Sequence, residues 1–274
     1  MAVIQCSFMS MSLHRPVKFT AVLPGDGMMP MPGPIGPLKT LYLLHGYTGS
    51  AMDWFRSGNV GDISQMNNLA IIMPDGENHF YVNDMGRRDM YSDLIGQELV
   101  EFTRRVFPLS TKREDTIIGG ISMGGFGALI NGMRFHDTFG HIVAISPALV
   151  KYDIASATDQ PNPVGATRGF FSSVFGDLDK YPESENEPGV LAARLKAEGA
   201  DFPSIYLACG RNDMLVRPAR DLHADFERLG VEHRYVEGPG SHEPIFFYPH
   251  LNHGLSFAGL DVMPPFPNPF WIDD

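Results

Sequence analysis

Short apolar runs recur along the chain at intervals that suit strands: "TLYLL" (40–44), "LAIIMP" (69–74), "DTIIG" (115–119), "HIVAIS" (141–146), "SIYLAC" (204–209) and "EHRYVEG" (232–238). Most are continuous rather than alternating, which is the pattern of strands covered on both faces. Between them, apolar residues return at helical spacing. Ile95, Leu99, Phe102 and Val106 share one stripe; Ala219, Leu222, Phe226 and Leu229 share another, with Gly230 where a C-terminal cap belongs. Alternation of strand and helix predicts a mainly parallel, doubly wound sheet with right-handed crossovers. Segments near 2–9 and 17–23 predict an antiparallel entry hairpin. The fold class is α/β.

Three segments break the pattern. "PGDGMMPMPGPIGP" (24–37) is a proline/glycine loop into the first central strand. Residues 147–200 form a long excursion of weak periodicity after the sixth strand, where a lid or substrate-shaping insertion would sit. The tail at 261–274 holds "MPPFPNPFWIDD", too rich in proline for helix or central strand. Its Phe266, Phe270 and Trp271 are expected to pack on the body or on a second copy, so a homo-oligomer is one expectation. The chain otherwise reads as one domain over 1–274.

Composition narrows the partners. The net charge of −11 argues against nucleic acid, whose phosphates call for a lysine and arginine excess. No apolar run is long enough to span a bilayer. The first residues, "MAVIQCSFMSMSLHRP", lack a basic stretch followed by an unbroken apolar one, so no signal peptide is expected and the cytoplasm is the expected compartment. Cys6 and Cys209 both fall in strands and are expected to be buried thiols rather than a disulfide.

The chemistry lies at one glycine-rich junction. Gly120-Ile121-Ser122-Met123-Gly124 matches G-x-S-x-G between a strand and a helix with Phe126, Leu129, Ile130 and Met133 on one face. A sharp turn there strains the serine backbone and lifts its hydroxyl above the sheet edge, so the residues two before and two after must be small. Gly125 and Gly127 are expected to let the helix approach its strand; Gly119 has no evident role. A nucleophilic serine needs a base, and the base a carboxylate to orient it. Asp213 follows "SIYLACG" and His242 follows "EHRYVEGPG", each at a strand end and in the order Ser, Asp, His. His223 and His233 lie inside a helix and a strand; His250 and His253 come too late; Asp221 and Asp177 sit on a helix face and in the excursion. Ser122, Asp213 and His242 are therefore the candidate triad. Backbone amides for the oxyanion are expected from Met123 and from the "HGYTGS" loop. Tyr47 is the favoured donor in that loop and Thr48 the alternative, with His45 positioning the loop. No histidine spacing suggests a metal site.

Together, "LYLLHGYTGSAMDW", "IIMPDG", "GGISMGGFGAL", "ACGRND" and "GSHEP" resemble the esterase D family of α/β-hydrolases, and within it the bacterial tributyrin esterases. The resemblance covers about residues 17–257. It implies a cofactor-independent carboxylesterase for a small-molecule ester with a short acyl group. It assigns Ser122, Asp213 and His242 as triad and the Tyr47 and Met123 amides as oxyanion hole. Trp54 matches a tryptophan near the binding cleft and is alternatively a core anchor. The family also holds feruloyl esterases, and S-formylglutathione hydrolases with a cysteine in the first loop, where this chain has H-G-Y-T-G. An acetylated-carbohydrate or feruloyl esterase, a thioesterase, and a hydrolase fold reused for binding remain alternatives.

Overall fold

The structure is a computed structural model that describes residues 1–25, 37–57, 59–84 and 86–262. Most of the tail thus lies outside the described residues, as does most of the proline/glycine loop. Eight strands form one sheet: β1 (Ala2–Ser10), β2 (Arg15–Leu23), β3 (Lys39–Leu44), β4 (Leu69–Pro74), β5 (Thr116–Ile121), β6 (His141–Ile145), β7 (Ser204–Gly210) and β8 (His233–Gly238). Their order across the sheet is β1-β2-β4-β3-β5-β6-β7-β8. The first two strands are an antiparallel hairpin, β2 pairs β4 antiparallel, and every other pairing is parallel.

The unbroken apolar runs divide between two cores at a period of two. Tyr42 and Leu44 of β3, with Ile142 and Ala144 of β6, face one layer. Leu41, Leu43, Val143 and Ile145 face the other. A strand buried on both faces must read as continuously apolar, because successive side chains alternate sides.

The helices cover these faces: α1 (Val60–Asn67), α2 (Leu99–Val106), α3 (Met123–Arg134), α4 (Lys151–Ala155), α5 (Arg168–Phe175), α6 (Pro188–Ala197), α7 (Val216–Leu229) and α8 (Pro244–Phe257). α1 and α8 pack on one side; α2, α3 and α7 pack on the other. In α7 the predicted stripe is buried at Ala219, Leu222 and Phe226, and Gly230 ends the helix in the left-handed region at φ 65°. The helix expected from Ile95 starts as a π-helical turn over Leu94–Glu98, and its last stripe residue, Val106, is exposed.

The excursion after β6 is a helical insertion containing α4, α5 and α6, not an irregular loop. Local capping holds its short helices: the Thr167 hydroxyl accepts from the Phe170 amide at 3.1 Å, and a Glu187 carboxylate oxygen accepts from the Val190 amide at 2.9 Å. An aromatic cluster ties it to the body, with Phe175 against Phe80 and Phe126 at 5.4 and 6.0 Å between ring centres.

Cys209 is buried, and burial pushes its thiol up to about 12. Cys6 is only half-buried, because it lies on the outermost strand. Among the described residues no helix is long and apolar enough to cross a membrane.

Candidate active site

The parallel strands all end on one edge of the sheet, and the loops that leave them there carry the candidate residues. Ser122 joins β5 to α3 at φ 54° and ψ −120°, a conformation L-residues avoid. Backbone bonds on both sides hold it. Its N–H donates to the Ile145 carbonyl at 3.0 Å, and its carbonyl accepts from Phe126 and Ala148. The glycines two residues away are sterically required. A Cβ on Gly124 would stand 2.2 Å from the Leu44 oxygen, and one on Gly120 would stand 2.5 Å from the Gly124 carbonyl carbon. Gly127 departs from expectation, since its missing side chain leaves room for the Tyr81 ring rather than for the sheet. Gly119 is shielded by Val143, whose Cβ would be 3.3 Å from an added methyl.

The loops after β7 and β8 are stitched together: the Arg211 amide donates to the Gly238 carbonyl at 2.7 Å, and that of Asn212 to Gly240 at 2.9 Å. This brings Asp213 and His242 together across 29 residues. The His242 Nδ1–H donates to Asp213 Oδ2 at 2.9 Å, and His242 Nε2 accepts from the Ser122 hydroxyl at 3.0 Å. Asp213 Oδ1 accepts from the Leu215 amide at 2.9 Å. Burial would raise the Asp213 carboxyl, but the His242 bond and the Leu215 amide outweigh it and hold it below the usual carboxylate range. Asp213 is buried, whereas the His242 side chain keeps 24% of its surface exposed. The imidazole is thus oriented from inside and accessible from outside.

The competing groups are engaged elsewhere. His223 and His233 hydrogen-bond to each other at 2.7 Å, and Asp221 pairs with Lys151. His250 Nδ1 meets the Tyr206 hydroxyl at 3.0 Å within α8's packing face.

The loop after β3 passes over the serine: a Cβ on Gly46 would lie 3.5 Å from Ser122 Cβ. A second loop, at 75–81 after β4, holds this first one in place. The Gly76 amide donates to His45 Nε2 at 2.9 Å, so the ring's proton sits on Nδ1, which donates to the Gly46 carbonyl at 2.8 Å. Burial lowers the pKa of His45, which keeps it in this neutral form. The Tyr81 hydroxyl donates to the His45 carbonyl at 3.0 Å, Asp75 accepts from the Ala51 amide at 2.9 Å, and Asn78 Oδ1 accepts from the Thr48 amide at 2.8 Å. Glu77, Phe80 and Tyr81 in this loop, like Thr48, take positive φ. These bonds fit the expectation that His45 positions the loop, whereas its partners in the second loop were not anticipated, since they lie some thirty residues away.

Two cavities meet at Ser122, His242 and Tyr47. One, of about 310 Å³, lies under the insertion and is lined by apolar side chains such as Phe80, Phe170 and Leu215. The other, of about 390 Å³, lies on the opposite side, with Thr48, Asp53 and Tyr248 in its wall. Trp54 lines this second cavity. It is also 2% exposed and packs edge-on against Tyr248, so it touches cleft and core alike. Among the described residues no three His, Cys, Asp or Glu side chains converge as metal ligands would.

The Esterase family model matches residues 10–257. An acetyl esterase of Caldicellulosiruptor saccharolyticus is 39% identical over 250 residues, covering 90% of this chain and 94% of the relative. Among solved structures, the substrate-bound fluorophosphonate-binding serine hydrolase F of Staphylococcus aureus superposes with a TM-score of 0.81 at 25% identity. That match covers 94% of this chain and 98% of the other. The S-formylglutathione hydrolase of the same organism gives 0.80 at 25% identity, with the same coverage.

Proposed function

Because the chain belongs to the Esterase family of α/β-hydrolases and is a serine-hydrolase-type esterase acting on small acyl esters, we propose that Ser122 is its nucleophile, His242 its general base and Asp213 the carboxylate that orients the base. The observation that carries this reading is the continuous hydrogen-bonded chain from Asp213 through His242 to the Ser122 hydroxyl. Ser122 Oγ attacks the ester carbonyl as its proton passes to His242 Nε2. The tetrahedral oxyanion collapses, and the departing alkoxide takes that proton as the acyl-enzyme forms. Water then attacks the acyl carbon by the same route, and Ser122 regains its proton. Every group used belongs to this chain.

The oxyanion is held by the Met123 and Tyr47 amides. Met123 opens α3, where backbone N–H groups point toward the serine. Tyr47 is preferred to Thr48 because the Thr48 amide already donates to Asn78. The insertion at 147–200 shapes the binding space, since residues from Ala148 to Phe171 wall one of the two cavities. Acyl groups of acetyl to butyryl size are the preferred substrates, a reading supported by 39% identity to an acetyl esterase. A reducing compartment, the cytoplasm, fits the two unpaired cysteines.

Hydrolysis of p-nitrophenyl acetate, butyrate and octanoate tests the reading. Wild type is expected to favour the two shorter esters, and Ser122→Ala to lose activity on all three and fluorophosphonate labelling as well. Equal rates in the two proteins would overturn it.

A further inference from the structure

The cavity under the insertion is apolar along most of its wall but carries one carboxylate. Asp153, on α4, lines it together with Ser122, His242, Phe80, Phe170 and Leu215. Its neighbours on that short helix are occupied outside the cavity. Lys151 pairs with Asp221 at 3.2 Å, and Tyr152 donates to the same carboxylate at 2.6 Å while Arg217 lies over its ring at 4.2 Å. Asp153 has no such cation among the described residues. Its donors are the Asn162 side chain and its own backbone amide. The Asn162 carbonyl oxygen is taken by the Val164 and Ala166 amides at 3.1 and 2.8 Å, so the Nδ2 group is left to face the carboxylate. Two donors leave about half of the roughly four lone-pair sites of a carboxylate unfilled. Burial raises its pKa, outweighing the bonds from Asn162 and from its own amide, which lower it.

We propose that Asp153 is a specificity-determining residue that accepts a hydrogen bond from a hydroxyl on the ester substituent occupying this cavity. The same carboxylate disfavours substituents ending in an anion. This rests on the assignment of Ser122 and His242 as the reacting groups, because it is their shared cavity that Asp153 lines. An apolar substituent without a donor would fill the space but leave the carboxylate short of a partner. A hydroxyl replaces the water such a group otherwise requires, and a substrate carboxylate would set like charges together in a poorly solvated space. The preference belongs to the ground state and the transition state alike, because Asp153 does not touch the reacting atoms. It is therefore expected in KM and kcat/KM rather than in kcat.

The test uses matched esters in two series. In the acyl series, p-nitrophenyl hexanoate is compared with its 6-hydroxyhexanoate and mono-adipate analogues. In the alcohol series, hexyl acetate is compared with 6-hydroxyhexyl acetate and 6-acetoxyhexanoate. In whichever series reaches the cavity, the hydroxyl ester is expected to exceed its methyl-ended analogue in kcat/KM by about tenfold, the worth of one hydrogen bond to a charged group, with the anionic ester poorest. Asp153→Leu should erase the hydroxyl preference. Asp153→Asn should retain part of it and raise kcat/KM for the anionic ester by about tenfold. Circular dichroism and fluorophosphonate labelling of Ser122 establish that both variants are folded, and the readout is the ranking within each series rather than the absolute rate. If neither series changes its ranking between wild type and variants, Asp153 has no role in selection. Absence of Ser122-dependent hydrolysis in wild type would instead remove the underlying reading.

Discussion

The Gly76 amide donates to His45 Nε2 at 2.9 Å and thereby joins the loop after β4 to the loop that crosses the nucleophile. His45 is almost fully buried and does not line the path from Asp213 to Ser122. Its position supports the loop rather than the proton transfer. Asn78 also joins these loops, accepting from the Thr48 amide at 2.8 Å. Tyr47 lies between these anchors, so the direction of its amide depends on both.

Asn78→Ala removes one anchor without touching the triad. The backbone at Thr48 holds φ 62°, and with its amide released it is expected to relax toward a commoner conformation. A lost hydrogen bond of about 1 kcal/mol, expressed mainly in the transition state, lowers kcat by about fivefold with KM little changed. Asn78→Asp retains an acceptor and is expected to recover most of the loss. A matched fall in kcat for Ala and Asp variants would rule out the anchoring role.

Asp213→Asn is expected to preserve the fold and abolish most turnover. The Asn oxygen can keep the bond to the Leu215 amide, but its amide group then faces His242 Nδ1. The ring would have to accept there and place its proton on Nε2, opposite the Ser122 hydroxyl. A fall of about 10⁴ in kcat is the expected scale for this wrong tautomer. Steady-state kinetics with a circular dichroism spectrum for each protein would decide the point; a change under tenfold counts against Asp213.

A glycine of the serine turn and one of the insertion are expected to respond oppositely to substitution. Gly124→Ala drives a methyl to 2.2 Å from the Leu44 oxygen, a backbone atom of the central strand, so it is expected to destabilise the protein by about 3 kcal/mol or more and to displace Ser122. Gly169, near the start of α5, would place its methyl no closer than 3.7 Å from a Thr167 oxygen. Gly169→Ala is therefore expected to be neutral or to stabilise by about 0.5 kcal/mol through helix propensity. Thermal melts of the pair check both signs.

The three triad candidates were legible because each sits at the end of its own strand, within a few residues of the pattern that announces it. Ser122 needed only its glycines, and Asp213 and His242 needed only the strands before them. Tyr47 was already favoured over Thr48, but the contact that supports the preference, from the Thr48 amide to Asn78, was not legible because the partner lies thirty residues away. Asp153 escaped for a different reason. Its helix runs only from Lys151 to Ala155, too short to display a periodicity, and its placement depends on the whole insertion folding back over the sheet. Gly127 misled because close helix–sheet approach is the common reason for such a glycine, whereas here a tyrosine from another loop fills the space.

His250 gives a pH dependence that is separate from catalysis. Burial, with a smaller contribution from His253, lowers its pKa to about 4. An unfolded histidine takes up its proton near 6.5. Above that value neither state is charged and His250 contributes no slope. As pH falls below it the unfolded chain gains a proton that the folded chain does not, so stability declines until the folded imidazole itself titrates near 4. At about 1.4 kcal/mol per unit, this amounts to about 3 kcal/mol across the window. His250→Phe loses the bond to Tyr206 and is expected to be less stable at pH 7.5, yet to lose about 2 kcal/mol less than wild type on acidification to pH 4.5. Urea unfolding of both proteins at the two pH values measures the difference of differences. Parallel losses in wild type and variant would show that acid sensitivity arises at other groups.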